Sequence, residues 1–151
     1  MKVKSFNLLQ LEKIEVPLFT YNINLTLSEN DQEVMPIEEN LKLKAFIKTK
    51  KDDETKFRLG LILETAEKNK SKVDFAILSL FYFKGDIPIT GEKDREAPYI
   101  TTALSVSYST LRGYLFQKVP EIGLLPLIPM SDLHKALEEG TKEFSQENSV
   151  K

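Results

Sequence analysis

The chain has 151 residues, 41% of them hydrophobic and 29% charged, which suits a single globular domain with a sizeable core. A formal net charge of −2 argues against nucleic acid as the main partner, because phosphate binding needs a basic surplus, and the lack of cysteine excludes disulfides and thiol chemistry. With no apolar run long enough to cross a membrane and no signal-peptide pattern at Met1–Lys4, we expect a cytoplasmic protein without membrane insertion.

The first part of the chain alternates apolar and polar residues with the period of a β-strand. Within Phe6–Val16 the two candidate faces swap partway, which predicts a long bent strand or a strand with a bulge. Phe19–Leu27 also alternates and is predicted as a second strand, with one apolar face and one solvated face. The acidic and polar segment Ser28–Asn40 predicts a loop.

Three more strands are predicted at Leu41–Thr49, Phe57–Thr65 and Val73–Lys84. The last of these is apolar on both faces, as expected of a central strand. The charged turns Lys50–Glu54 and Glu67–Lys72 are short, and short connections indicate antiparallel neighbours. The lysines of Leu41–Lys51 either attract an acidic partner or guard an edge strand against aggregation.

A helix is predicted from Ala97 to about Lys118, ended by Pro120 and Gly123. Its apolar stripe consists of Ile100, Leu104, Tyr108, Leu111 and Leu115. A second stripe has only small residues: Thr102, Ser105, Ser109 and Gly113. Such residues form helices poorly, and Arg112 is the only charge between Ile100 and Tyr114. This composition favours a buried contact over a solvated polar face.

A proline-framed connector follows the helix. Pro126 and Pro129 forbid helix and impose extended geometry, yet the segment is rich in large apolar side chains, namely Leu124, Leu125, Leu127, Ile128 and Met130. Ser131 or Asp132 then caps a second helix to about Phe144, with Leu133 and Leu137 toward one side. The connector therefore either seals the core or forms one wall of an apolar groove.

The predicted architecture is α+β, an antiparallel meander of four to five strands followed by two helices packed on one face. Residues 1–140 form one domain, and residues 141–151 form a polar C-terminal tail that is expected to fray.

The sequence offers little catalytic chemistry. Its one histidine, His134, follows the second helix start, where a surface or capping role is far more common than a catalytic one. The 6 glycines do not cluster into a phosphate-binding loop. We therefore expect no enzyme activity, no cofactor and no metal. The predicted strands and the connector instead carry more apolar surface than two helices cover, and we expect the excess to bury against another copy or a client.

The order of elements resembles that of the SecB family of protein-export chaperones, from Phe6 to about Leu137. The strongest match is Leu104–Leu133, in which an apolar helix ending at a glycine precedes a proline-flanked aliphatic connector. The residues that carry it are Tyr108, Leu111, Arg112, Gly123, Pro126, Leu127, Ile128, Pro129 and Leu133.

This resemblance implies an ATP-independent holdase, assembled as a homotetramer (a dimer of dimers), that binds unfolded polypeptides in apolar grooves. The groove positions it implies are Phe19, Tyr21, Leu124, Leu125, Leu127, Ile128, Met130, Leu133 and Leu137. The interface positions it implies lie on the first helix, at Thr102, Ser105, Ser109, Arg112 and Gly113.

The sequence departs from the family pattern at two places. Phe19–Asn40 is longer than the matching region, and Phe75–Ser79 lacks the acidic residues with which family members dock the motor SecA. Three hypotheses therefore stay open: general protein export, a chaperone dedicated to one partner such as an antitoxin, and a small-ligand-binding α+β domain. The last would need polar groups such as Tyr82, Tyr108 and Arg112 to converge on one pocket.

Overall fold

Antiparallel strands make up the first half of the molecule. The structure, a computed structural model, describes residues 9–25, 34–89 and 93–149, with the backbone alone at 93–97 and 141–149. The strands are β1 (Leu9–Ile23), β2 (Leu41–Lys50), β3 (Asp53–Thr65) and β4 (Val73–Gly85). They form one sheet in the order β1-β4-β3-β2. The predicted α+β class is confirmed, and β4 is a central strand as its apolar pattern indicated.

β1 is a single strand, so the prediction of two separate strands on either side of residue 17 is wrong. Its pairing with β4 shifts register between Leu11 and Lys13 and again between Glu15 and Leu18. Pro17 lies in the second shift, where a residue without an N–H is tolerated on an edge strand. These bulges swap the faces of the strand, which explains the broken alternation. Phe6–Leu8 and Thr26–Leu27 lie outside the described residues.

Two helices follow the sheet, α1 (Lys93–Lys118) and α2 (Met130–Ser149), with short 3₁₀ turns at Ile37–Asn40 and Pro120–Ile122. α1 ends where Pro120 predicts. The helical backbone of α2 continues to Ser149, and the fraying expected of the polar tail from Thr141 stays a prediction. No proline follows Gly140 to terminate the helix.

The core lies between the helices and one face of the sheet. Alternate residues of the two central strands, from Phe57 to Leu63 and from Val73 to Phe83, meet the predicted apolar stripe of α1. Leu104, Leu111 and Leu115 on that stripe are at most 2% exposed. We call the opposite face of the sheet the outer face.

Candidate functional site

The connector, residues 119–129, presents leucines on both of its sides. It runs without regular structure from Gly123, whose φ of 77° suits glycine, to Pro129. An extended chain points successive side chains in opposite directions. Leu125 is accordingly fully buried, while its neighbour Leu124 is 60% exposed. Leu127 is 79% exposed although it is two positions after Leu125, so the alternation does not continue past Pro126. The connector is thus both a lid on the core and an apolar surface.

Two side chains of α1 fix the connector in place. The Tyr108 hydroxyl donates a hydrogen bond to the Pro126 carbonyl oxygen at 2.9 Å. The Arg112 Nε donates one to the Leu125 carbonyl oxygen at 2.7 Å. Both carbonyls lie outside regular secondary structure and need such partners. Burial raises the pKa of Tyr108 to about 12, against the opposing charge of Arg112, so the phenol stays a donor at neutral pH.

An open groove of about 560 Å³ separates the connector and α2 from β2. Its lining comprises Glu38, Leu41, Leu43, Pro126, Leu127, Ile128, Pro129, Asp132, Lys135, Ala136 and Glu139. Aliphatic side chains and prolines are accompanied by four charged residues, two acids and a lysine among them on α2. β2 is an edge strand, and no strand of the described residues pairs with the edge of β2 that faces away from β3. Its backbone groups are therefore next to the apolar lining.

The structure separates the predicted groove residues into two groups. Leu127 and Ile128 line the groove, Leu124 is exposed nearby on the connector, and Met130 is half-buried against the core. Leu125, Leu133 and Leu137 are core residues at 0%, 2% and 8% exposure, so their expected place on the groove surface is corrected. Leu133 and Leu137 are buried because they form the apolar stripe with which α2 packs on the core, and Leu125 is on the side of the connector that covers the core.

Phe19 and Tyr21 do not face this groove, which corrects a second expectation. They lie on β1, at the opposite edge of the sheet, about 14 Å from β2 by three strand spacings. The Phe19 ring contacts the rings of Tyr21 and Tyr114, with centroids 5.6 and 6.1 Å apart. Tyr21 is 53% exposed. These aromatics form a second, separate apolar surface.

The stripe of small residues on α1 points to solvent in the single chain. Thr102, Ser105, Ser109 and Gly113 are all exposed, and a Cβ added at Gly113 would meet nothing within 4 Å. Val106 and Phe116 are exposed beside them. Arg112 was expected on this face, but its Nε bonds the connector instead.

The polar groups proposed for a ligand pocket do not converge. Tyr82 lies on the outer face and donates a hydrogen bond to Glu15 at 3.2 Å, whereas Tyr108 and Arg112 act on the helical side of the sheet. His134 Nε2 lies 2.7 Å from the Thr101 hydroxyl and ties α2 to α1. Across the described residues, no group of three or more His, Cys, Asp or Glu could hold a metal ion. None of their helices has the length and apolarity to span a bilayer.

Sequence reasoning missed two parts of this site. It placed Tyr108 in the core stripe and Arg112 on an interface, and did not foresee that both hold the connector. The available signal for Arg112 was that it is the only charged residue between Ile100 and Tyr114. The charged lining contributed by Glu38, Lys135 and Glu139 had no sequence signal, because only the packed α2 brings it beside β2.

No protein-family model matches the chain, and no curated protein matches it in sequence. Among solved structures, a SecB-like chaperone of Mycobacterium tuberculosis, in complex with a ChAD peptide from the HigA1 antitoxin, aligns over 80% of this chain and 88% of its own. The identity is 14% and the TM-score 0.49. A protein of unknown function from Streptococcus agalactiae aligns over 83% and 100%, with 12% identity and a TM-score of 0.39. TM-scores below 0.5 lend no weight to any particular function.

Proposed function

We propose that this protein is an ATP-independent chaperone, a holdase that binds unfolded or newly made polypeptides and catalyses no reaction. The observation that carries the proposal is the connector: its exposed Leu127 is held beside an open groove by two hydrogen bonds from α1. A fixed apolar surface next to an open strand edge suits a polypeptide ligand better than a small molecule.

The geometry would allow many sequences to bind. Apolar client side chains would be buried against Leu127, Ile128 and Ala136, at about 25 cal/mol per Å² of apolar surface removed from water. The free edge of β2 would offer main-chain hydrogen bonds, which do not depend on client sequence. The prolines of the connector remove N–H donors, so the connector itself does not compete as a strand. Neither interaction requires a nucleotide.

We further propose a homotetramer, a dimer of dimers, in which α1 supplies an interface. The support is the exposed face of α1, where short side chains lie beside the apolar Val106 and Phe116. Short side chains let a second backbone approach closely, and burying Phe116 would remove a large exposed aromatic from water.

The client range of the proposed chaperone is either broad or narrow. Protein export, with SecA as a partner, requires many clients, whereas a chaperone dedicated to an antitoxin requires one. Affinity purification from the native host followed by mass spectrometry of the co-purifying chains distinguishes the two.

Suppression of aggregation by a chemically denatured enzyme, followed by light scattering, tests the holdase proposal. The Leu124→Ser/Leu127→Ser double variant should fold normally and lose most of the protection. Leu25→Ser is the matched control, since Leu25 is 72% exposed and does not line the groove. Wild-type protein that gives no protection, or a double variant that protects as well as wild type, would refute the proposal.

A further inference from the structure

Basic side chains are concentrated at one end of the outer face. In the registers of the sheet, Lys48 of β2 is opposite Arg58 of β3, and Arg58 is opposite Tyr82 of β4. One row further on, Lys56 is opposite Lys84. An open depression of about 530 Å³ lies over this end. Its basic lining residues are Lys13, Lys48, Lys50, Lys51, Lys56 and Arg58.

This concentration of charge works against folding. Like charges placed directly opposite each other on neighbouring strands destabilise a sheet, and two such pairs occur here. At the other end of the same strands Lys42 is opposite Glu64, so the face has complementary charges elsewhere. The whole chain carries a net charge of −2, which makes the local excess a property of this surface alone.

The acids near the cluster offset its charge only in part. Glu12 is the one acid in the lining. Glu15 forms an ion pair with Lys13 and accepts a hydrogen bond from Tyr82, and its pKa is lowered first by Lys13 and also by the charge of Arg58. The pKa of Asp53 is lowered first by hydrogen bonds from Thr55 and also by the charges of Lys56 and Lys84. The lining itself holds six basic residues against one acid.

Arg58 has an unfilled hydrogen-bonding position. Its Nε is buried and has no hydrogen-bond partner. A buried donor without an acceptor is costly, and a guanidinium binds a carboxylate through two parallel hydrogen bonds. An oxyanion in the depression would bind the guanidinium of Arg58 and screen the opposed pairs.

An apolar strip adjoins the cluster on the same face. It consists of Leu18, Phe46, Ile62, Leu78 and Leu80. The Phe46 ring lies directly on Gly60, where an added Cβ would be 2.3 Å from it. Leu18 is 51% exposed and Leu80 is buried at 8%, and none of the five is in the apolar cluster between sheet and helices. A ligand on this face would meet cations first and aliphatic side chains next.

We propose that the outer face docks an acidic segment of a partner polypeptide, with its carboxylates at Arg58 and the surrounding lysines and its apolar residues on the strip. The strip is mainly aliphatic, whereas single-stranded nucleic acid is bound on aromatic stacking platforms within a continuous basic groove. A mixed acidic and apolar peptide matches both halves of the surface. The site is on the opposite side of the sheet from the groove, so it goes beyond the proposed function and does not depend on it.

Fluorescence anisotropy with a labelled peptide of four Glu-Glu-Leu repeats tests the proposal. Wild-type protein should bind this peptide, bind its Lys-Lys-Leu counterpart far less, and lose affinity as salt rises. Arg58→Gln/Lys56→Gln should weaken binding about tenfold or more, as expected for two charge-assisted contacts. Lys42→Gln/Lys70→Gln removes the same charge elsewhere and should have little effect. Leu127→Ser should leave peptide affinity unchanged, which separates this site from the groove.

The melting temperature distinguishes docking from a structural role. Because Arg58 and Lys56 face like charges, Arg58→Gln/Lys56→Gln should melt at the wild-type temperature or above. A lowered melting temperature, no binding of the acidic peptide, or equal losses in the two double variants would overturn the proposal. So would an Arg58-dependent preference for an oligothymidine of matching length, which would identify a nucleic-acid site.

Discussion

Gly140 of α2 rests directly on the Ala45 carbonyl oxygen of β2: a Cβ added at Gly140 would lie 1.7 Å from that oxygen. Gly140 has no side chain and the Ala45 oxygen is a backbone atom, so the backbones of α2 and β2 are in direct contact at this point. This contact sets the distance between α2 and β2, and with it the width of the groove that lies between them.

Gly140→Ala should therefore move α2 away from β2. We expect the free energy of unfolding to fall by about 1–3 kcal/mol, the usual cost of overpacking, even though alanine is the better helix former. Urea denaturation measures this. Lys135→Ala, at an exposed position of the same helix, should change stability by less than about 0.5 kcal/mol. A Gly140→Ala protein as stable as wild type would show that α2 does not rest on β2.

Truncation of the two adjacent connector residues Leu124 and Leu125 should affect stability very differently. Leu125→Ala creates a cavity in the core and should cost about 2–5 kcal/mol of stability. Leu124→Ala removes a side chain that is 60% exposed and should cost less than about 0.5 kcal/mol. Thermal and urea unfolding of the two variants provide the comparison. Equal losses would mean that the connector does not alternate between core and solvent.

The hydrogen bond from Tyr108 should appear in the pH dependence of stability. Its pKa is raised from about 10 in the unfolded chain to about 12 in the fold, so the folded state retains the proton where the unfolded state loses it. The stabilisation from this phenol is fully present below about pH 10 and is lost as the pH rises toward 12.

Tyr108→Phe should lower the free energy of unfolding by about 1 kcal/mol near neutral pH. Between about pH 10 and 11 the free energy of unfolding should fall less steeply in this variant than in wild type. Burial also raises the pKa of Tyr99, so part of the decline should persist in the variant. Urea midpoints at several pH values measure both effects. Parallel declines in wild type and variant would contradict the assignment to Tyr108.

A charge on the small-residue face of α1 should disrupt the proposed assembly. Ser109→Glu places an uncompensated carboxylate among short side chains, and burying it between subunits is costly. Light scattering coupled to size-exclusion chromatography should show a fall in mass. Ser131→Glu adds the same charge at an exposed position on α2 and should leave the mass unchanged. If Ser109→Glu has the wild-type mass, α1 is not the interface.

Local patterns were sufficient for the elements that depend on near neighbours. The apolar residues on both faces of Val73–Lys84 identified a central strand, and Pro120 marked the end of α1. The same rules failed at Pro17, because a bulge reverses a strand's faces without ending it, and the difference lies in the partner strand.

The sequence by itself determined the α+β class, the extended connector with its surplus of leucines, and the stripe of small residues on α1, because these follow from side-chain period and proline stereochemistry. Only the tertiary structure decided which leucines are sealed and which are exposed, that Phe19 and Leu127 are at opposite edges of the sheet, and that Tyr108 and Arg112 hold the connector. Those relationships join residues distant in the chain, and strand order and helix placement, not local propensity, bring them together.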